Sequence, residues 1–217
     1  MHQPLFNRLL SANVATEEVD PRSIRCGLLG PELEAVAGAA PTRVEQFTAG
    51  RVCSRVALRR LGVTKATPIP RGDDRAPLWP SGFTGSISHT DAWCAAAVAR
   101  RSEVRSIGID LEAATPLKPS LWRRVCTPGE REWLASLPVP GLSGKILFSA
   151  KEAVYKCQYP ITRTFLGFQA VEMVEIHDGA FKAVFRQEVD GFQSGHVILG
   201  RYLVEEGLVA TACELLP

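Results

Sequence analysis

Between positions 40 and 62, apolar residues recur at helical spacing at Val44, Phe47, Leu58 and Leu61, so APTRVEQFTAGRVCSRVALRRLG predicts an amphipathic helix. Thr42 is placed to cap its start, Glu45 completes a capping box three residues on, and Gly62 suits its end. From 63 to 85 Gly, Pro and Asp break the periodicity, and a surface loop is expected. Two apolar segments follow, SISHT leading into AWCAAAVA, and then VRSIGIDLE. In the last of these, Ile107, Ile109 and Leu111 alternate with Gly108, Asp110 and Glu112, which predicts a strand with one buried face and one face carrying carboxylates. A short helix is predicted at TPGE, with Thr127 as cap, Pro128 in the first turn, Glu130 closing the box and Pro138 as the stop. A longer helix is predicted from about 143 to 158, ending ahead of Pro160. The remainder, FQAVEMVEIH, FKAVFRQ, HVILGRYLVEE and LVATACEL, reads as strands joined by tight turns, with Asp178 and Gly179 the clearest hairpin signal.

This order of elements makes the second half α+β. Charge interrupts the apolar strands at 100–105, which suggests a boundary there, with halves of 1–103 and 104–217. A chain of 217 residues suffices for one large core or two small ones. At 46% hydrophobic and 22% charged it has the composition of a folded globular protein and not of a disordered tail. A net charge of +2 and 7% aromatic residues rank an RNA-binding protein last, since that class shows a dominant basic patch interleaved with aromatics. The six cysteines, at 26, 53, 94, 126, 157 and 213, are scattered without a CxxC pair, and free thiols are expected. The opening MHQPLFNRLL lacks the pattern of a secretory signal, so a cytoplasmic location is the expectation.

Asp110 and Glu112, two apart on a strand, share a face with Cα atoms about 6.6 Å apart, a spacing suited to chelating a hard cation such as Mg2+. On that pattern alone, solvated acids on an exposed strand face are the simpler account. The helix FSAKEAVYK adds Phe148, Glu152, Tyr155 and Lys156 on one side with Lys151 at its edge, opposite an apolar side of Ile146, Leu147, Ala150, Ala153, Val154 and Cys157. Taken alone, Glu152 and Lys156 make a surface ion pair at i,i+4 spacing. In the first helix Arg43 and Arg51 border the apolar stripe, with Arg55 at its edge. There they either snorkel to water or bind an anion such as phosphate. Ser88 and His89 lie in a strand signal, beside a loop carrying Arg71 and Arg75. Carboxylates for a cation together with basic groups for phosphate point to a nucleotide or pyrophosphate ligand.

These segments, in this order, resemble the 4′-phosphopantetheinyl transferases, in the longer branch that includes the surfactin and enterobactin pathway enzymes. IGIDLE at 107–112 and FSAKEAVYK at 148–156 are similar to the family's two defining motifs, RAPLWPSGFTGSISHT at 75–90 to the motif before them, and GRVCSRVALRRLG to the arginine-bearing helix. The resemblance implies two pseudo-symmetric α/β halves, each a small sheet packed with a long helix, enclosing coenzyme A. The N-terminal half would bind its phosphates and the C-terminal half would carry the metal and catalytic motifs. It implies Mg2+, or Mn2+, on Asp110, Glu112 and Glu152. It also implies phosphate contacts from Arg43, Arg51, Arg75, Ser88, His89, Lys151 and Lys156.

The implied reaction moves the phosphopantetheine arm to a serine of an acyl or peptidyl carrier protein and releases 3′,5′-ADP, with Asp110, Glu152 and Lys156 as the catalytic groups. Glu152 would accept the serine proton and Lys156 would steady the leaving phosphate. Carrier proteins of this kind are acidic helical bundles, which implies a basic or apolar docking patch; the segment 117–124, with Leu117, Lys118, Leu121, Trp122, Arg123 and Arg124, is the candidate, and it reads equally as an ordinary surface loop and helix end. One chain with two halves suffices as a monomer, and the pathway served could be fatty acid, siderophore or other secondary metabolite synthesis. The alternative is a noncatalytic coenzyme A or nucleotide-binding regulatory module, which would need the arginines and His89 and would have little use for the carboxylates.

Overall fold

The computed structural model describes residues 4–217. Its contacts divide the chain into two compact units, one running up to Ile107 and including Leu216–Pro217, the other Gly108–Leu215.

The first unit is a three-stranded antiparallel sheet covered by one long helix. The strands are β1 (Ala15–Val19), β2 (Phe83–His89) and β3 (Cys94–Arg100), in the order β1-β3-β2. After the short α1 (Gly30–Leu33), helix α2 (Pro41–Arg60) packs on β3 and β1. Ala57 and Leu58 of α2 meet Ile69, Phe83 and Val98 in the core. Where α2 crosses β2 the approach is close, since a Cβ on Gly50 would lie 2.9 Å from the Ile87 side chain.

The expected Thr42 cap is not formed, nor is its box with Glu45. The helix begins one residue earlier, at Pro41, with Ala40 as an N-cap that makes no side-chain bond. Proline needs no N–H at the first helical position and its φ is already helical, so it displaces Thr42 into the first turn. The predicted end holds. Gly62 takes φ +90°, its N–H bonds the Arg59 carbonyl, and the Val63 N–H bonds the Leu58 carbonyl, the paired closure that glycine permits.

The second unit is a five-stranded sheet in the order β4-β8-β7-β6-β5, built from β4 (Ser106–Ala113), β5 (Val171–His177), β6 (Ala180–Phe185), β7 (Val197–Glu205) and β8 (Leu208–Leu215). β5 through β8 form an antiparallel meander. Two of its turns place both central residues at positive φ, Asp178 (49°) with Gly179 (76°), as predicted, and Glu206 (53°) with Gly207 (75°).

The helices of this unit are α3 (Pro119–Val125), α4 (Pro128–Ser136) and α5 (Pro140–Thr162). The Thr127–Glu130 capping box of α4 forms as read from sequence. α5 runs on through Pro160 to Thr162, beyond the predicted end. So close to the C-terminus, proline forgoes one backbone bond. The last turn is held instead by the Thr162 hydroxyl donating to Gln158 Oε1 at 2.6 Å and the Arg163 N–H donating to the Tyr159 carbonyl at 2.9 Å. α5 lies on β8, and its Leu147, Ala150, Ala153, Val154 and Cys157 are fully buried with Met173, Phe181, Phe185 and Ile198 of the sheet. All six cysteines are free thiols. Among the described residues no helix is long and apolar enough to cross a membrane.

Candidate active site

The carboxylates of β4 meet α5 because Gly108 lets them. A Cβ at this position would fall 1.8 Å from the Ala153 carbonyl oxygen and 2.7 Å from the Cys157 backbone nitrogen, so strand and helix touch backbone to backbone. Gly108, Asp110 and Glu112 alternate along β4, and the contact at Gly108 therefore turns the two acids toward α5. Asp110 is only 4% exposed. Its Oδ1 accepts from Lys156 Nζ at 2.7 Å and its Oδ2 from Ser149 Oγ at 2.9 Å. Ser149 also meets Thr211 Oγ1 at 2.9 Å, which ties the site to β8. Glu112 Oε2 accepts from Lys145 Nζ at 3.0 Å.

Glu152 completes the group from one helical turn before Lys156. Burial pushes its carboxyl pKa up; Lys156 opposes the shift, and Asp110 and Glu112 add to it. Three carboxylates thus feel one another's charge, with Lys145 and Lys156 as counterions. Among the described residues, no three acidic, histidine or cysteine side chains close into a metal cage. Beside Glu152 lies a mainly apolar cavity of about 320 Å³, lined by Lys151, Tyr155 and Gln158 of α5, by Phe165, Leu166 and Phe168 of the following loop, and by Val171 and Arg124.

Lys151 does not share the open side of α5. It faces the buried side, and its ammonium donates to Glu130 Oε2 (2.7 Å) and to the carbonyls of Phe168 (2.9 Å) and Val125 (3.0 Å). Burial lowers its pKa, with the Glu130 carboxylate acting in the opposite direction.

In the first unit α2 and the end of β2 assemble a basic group. Arg43 Nη1 lies 3.2 Å from His89 Nε2. The guanidinium groups of Arg51 and Arg43 lie 4.0 and 5.9 Å from the centre of the Phe47 ring. Arg51 is buried and donates from Nε to the Ile69 carbonyl at 2.7 Å. Burial lowers its pKa to about 10, which Glu32 counters and Arg43 and Arg55 reinforce. Ser88, the residue before His89, is buried on β2. Arg75 is exposed in the 63–85 loop, held by its own N–H to the Gly72 carbonyl and by a left-handed backbone (φ 69°). Arg55 finds its anion within the chain, since Glu32, fully buried, accepts from Arg55 Nη1 at 2.6 Å and from the Ile69 N–H at 2.8 Å.

Sequence reasoning missed Ser149, Thr211, Lys145 and Glu32. The first and third carried a usable signal, because Ser149 and Lys145 stand three and seven residues before Glu152 on the same helix.

Comparison with known proteins matches both parts of the chain to one family. The model of the 4′-phosphopantetheinyl transferase N-terminal domain matches residues 31–99, and that of the 4′-phosphopantetheinyl transferase superfamily matches residues 106–213. The chain is 41% identical over 198 residues to 4′-phosphopantetheinyl transferase Svp of Streptomyces mobaraensis, covering 85% of this chain and 78% of that protein. It is 37% identical over 195 residues to 4′-phosphopantetheinyl transferase PptT of Mycobacterium tuberculosis, covering 86% of each. Over 155 residues it is 35% identical to enterobactin synthase component D of Salmonella typhi, covering 68% of this chain and 61% of that protein. The chain belongs to the 4′-phosphopantetheinyl transferase superfamily, in the branch that carries the N-terminal transferase domain ahead of the superfamily domain.

Proposed function

We propose that this protein transfers 4′-phosphopantetheine from coenzyme A to a serine of an acyl or peptidyl carrier protein, releasing 3′,5′-ADP, with the chemistry carried by β4 and α5. The observation that carries the reading is the convergence of Asp110, Glu112, Glu152 and Lys156 on one face, set by the Gly108 contact. A regulatory binder has no use for three mutually repelling acids.

The reacting centre is a pyrophosphate that already bears negative charge, so charge neutralisation is the main task. Asp110, Glu112 and Glu152, which do not themselves close into a cage, offer the all-oxygen donor chemistry that suits a hard divalent cation, Mg2+ or Mn2+, and their crowded negative charge is what such a cation would relieve. When bound, that cation would polarise the phosphoryl oxygens. Glu152, a carboxylate on this face, takes the serine hydroxyl proton as the oxygen attacks phosphorus. Lys156, with its ammonium on Asp110, supplies hydrogen bonds to the departing phosphate.

The phosphates at the nucleotide end of coenzyme A fall to Arg43, Arg51, Arg75, Ser88 and His89. The Arg43–His89 pair and the buried Arg51 support that assignment, since a buried guanidinium is best satisfied by an anion. For the carrier, the 117–124 segment keeps exposed Lys118, Leu121, Arg123 and Arg124 on α3 and at its start, a basic surface around one apolar residue suited to an acidic helix, whereas Leu117 is buried in the core and Trp122 packs against it, so neither belongs to the patch. Release of 3′,5′-ADP from coenzyme A in the presence of an apo carrier tests the mechanism. Glu152→Gln should abolish release while coenzyme A still binds, and full activity in that variant removes Glu152 from the mechanism.

A further inference from the structure

The Lys151 side chain is 1% exposed and so is that of Glu130. An ammonium has three hydrogens, and here each has an acceptor within the protein: the last turn of α3 at Val125, the first turn of α4 at Glu130, and the turn before β5 at Phe168. Glu130 is spent as fully. Its Oε2 also accepts the Thr127 N–H at 2.7 Å and its Oε1 the Met173 N–H at 2.7 Å, on β5. One buried ion pair therefore fastens α3, α4, α5, the 163–168 loop and β5 to a common point. A phosphate could reach this ammonium only by displacing the chain's own acceptors.

We propose that Lys151 is a positioning residue and not a coenzyme A phosphate contact: with Glu130 it fixes the turn of α5 from which Glu152 emerges and the loop that walls the adjoining cavity. The proposal rests on the reading of Glu152 as the proton acceptor. Glu152 is the next residue on the helix, so a small rotation or rise of this turn moves its carboxylate directly. Phe168, whose carbonyl Lys151 holds, ends the loop that presents Phe165 and Leu166 to the same cavity. Misplacement by about 1 Å at a reacting group can cost on the order of a hundredfold in rate.

The test uses the full chain with Lys151→Met, Glu130→Gln, the double variant and Glu152→Gln. It reads kcat, KM for coenzyme A, and 3′,5′-ADP affinity by calorimetry, with thermal melting as the fold check. For each single variant of the pair, kcat should fall roughly tenfold to a hundredfold while 3′,5′-ADP affinity stays within about twofold. The double variant should be no worse than the poorer single, because the two side chains act as one unit. If Lys151→Met weakens 3′,5′-ADP binding about tenfold or more while Glu130→Gln binds normally, Lys151 is a phosphate contact and the proposal falls. Should Lys151→Met not fold, the near-isosteric Glu130→Gln decides alone: unchanged kcat there overturns the proposal. Glu152→Gln separates the two levels, since full activity in it defeats the underlying reading whatever the pair does.

Discussion

Replacing Gly108 with alanine adds a single methyl group where β4 and α5 touch backbone to backbone. That carbon would sit 1.8 Å from the Ala153 carbonyl oxygen, whereas real Cβ atoms keep at least 3.0 Å, so strand and helix must separate by about 1.2 Å. Neither partner is a side chain that can swing aside. Overpacking of this kind costs about 1–3 kcal/mol, which for a unit near one hundred residues lowers the melting temperature by several degrees. The functional effect is larger than the loss of stability. Asp110 lies two residues further along β4 and is joined to α5 by bonds of 2.7 Å to Lys156 and 2.9 Å to Ser149, and a shift of that size breaks both. Transfer should fall by about a hundredfold, measured as holo-carrier formed per minute, while the basic group on α2 and β2 still binds 3′,5′-ADP. Gly30→Ala is the control, since a Cβ there meets nothing within 4 Å. Matching rates and melting curves for the two variants would refute the claim that this contact sets the carboxylates.

Ser149→Ala removes the second anchor of Asp110 and leaves Thr211 without that partner; a loss of about 1 kcal/mol in stability and a lowered kcat with unchanged coenzyme A affinity are expected from melting and steady-state kinetics. Arg51→Gln should weaken 3′,5′-ADP binding by about tenfold to a hundredfold, the range of a charge-assisted hydrogen bond, and calorimetry that finds no change would remove Arg51 from the phosphate site. Arg123→Glu with Arg124→Glu should raise KM for an acidic carrier and flatten its salt dependence, with KM for coenzyme A unaffected, as kinetics at two ionic strengths would show.

The elements that sequence reads well here are those whose signal is local. Alternation marks β4 as a strand, though both its faces are buried as far as Leu111, the Thr127–Glu130 box marks the start of α4, and Asp178–Gly179 marks a hairpin whose φ values require such residues. At the start of α2 two local signals compete, and Pro41 at the first helical position prevails over the threonine cap that the sequence predicts. The same kind of rule placed the end of α5 too early, since the penalty of Pro160 is small where the helix is about to stop and Gln158 and Thr162 secure the final turn. Lys151 illustrates the deeper limit. Helical spacing places it at the edge of the polar face, but two of its three acceptors are backbone carbonyls of distant segments, which no pattern of side chains announces. Glu130 was legible as a capping residue, and that local role hid the second use of its carboxylate. Arg55 was unreadable for a similar reason, because its partner Glu32 lies 23 residues upstream.

The central claim is that Asp110, Glu112 and Glu152 on one face of the second unit carry out a metal-supported phosphopantetheinyl transfer. Intact-mass measurement of an apo carrier protein, incubated with this protein, coenzyme A and Mg2+, tests it most directly, with Asp110→Ala and a chelator as parallel reactions. A gain of one phosphopantetheine that disappears in both parallel reactions is the predicted result. Full modification by Asp110→Ala, or in the presence of chelator, would contradict it.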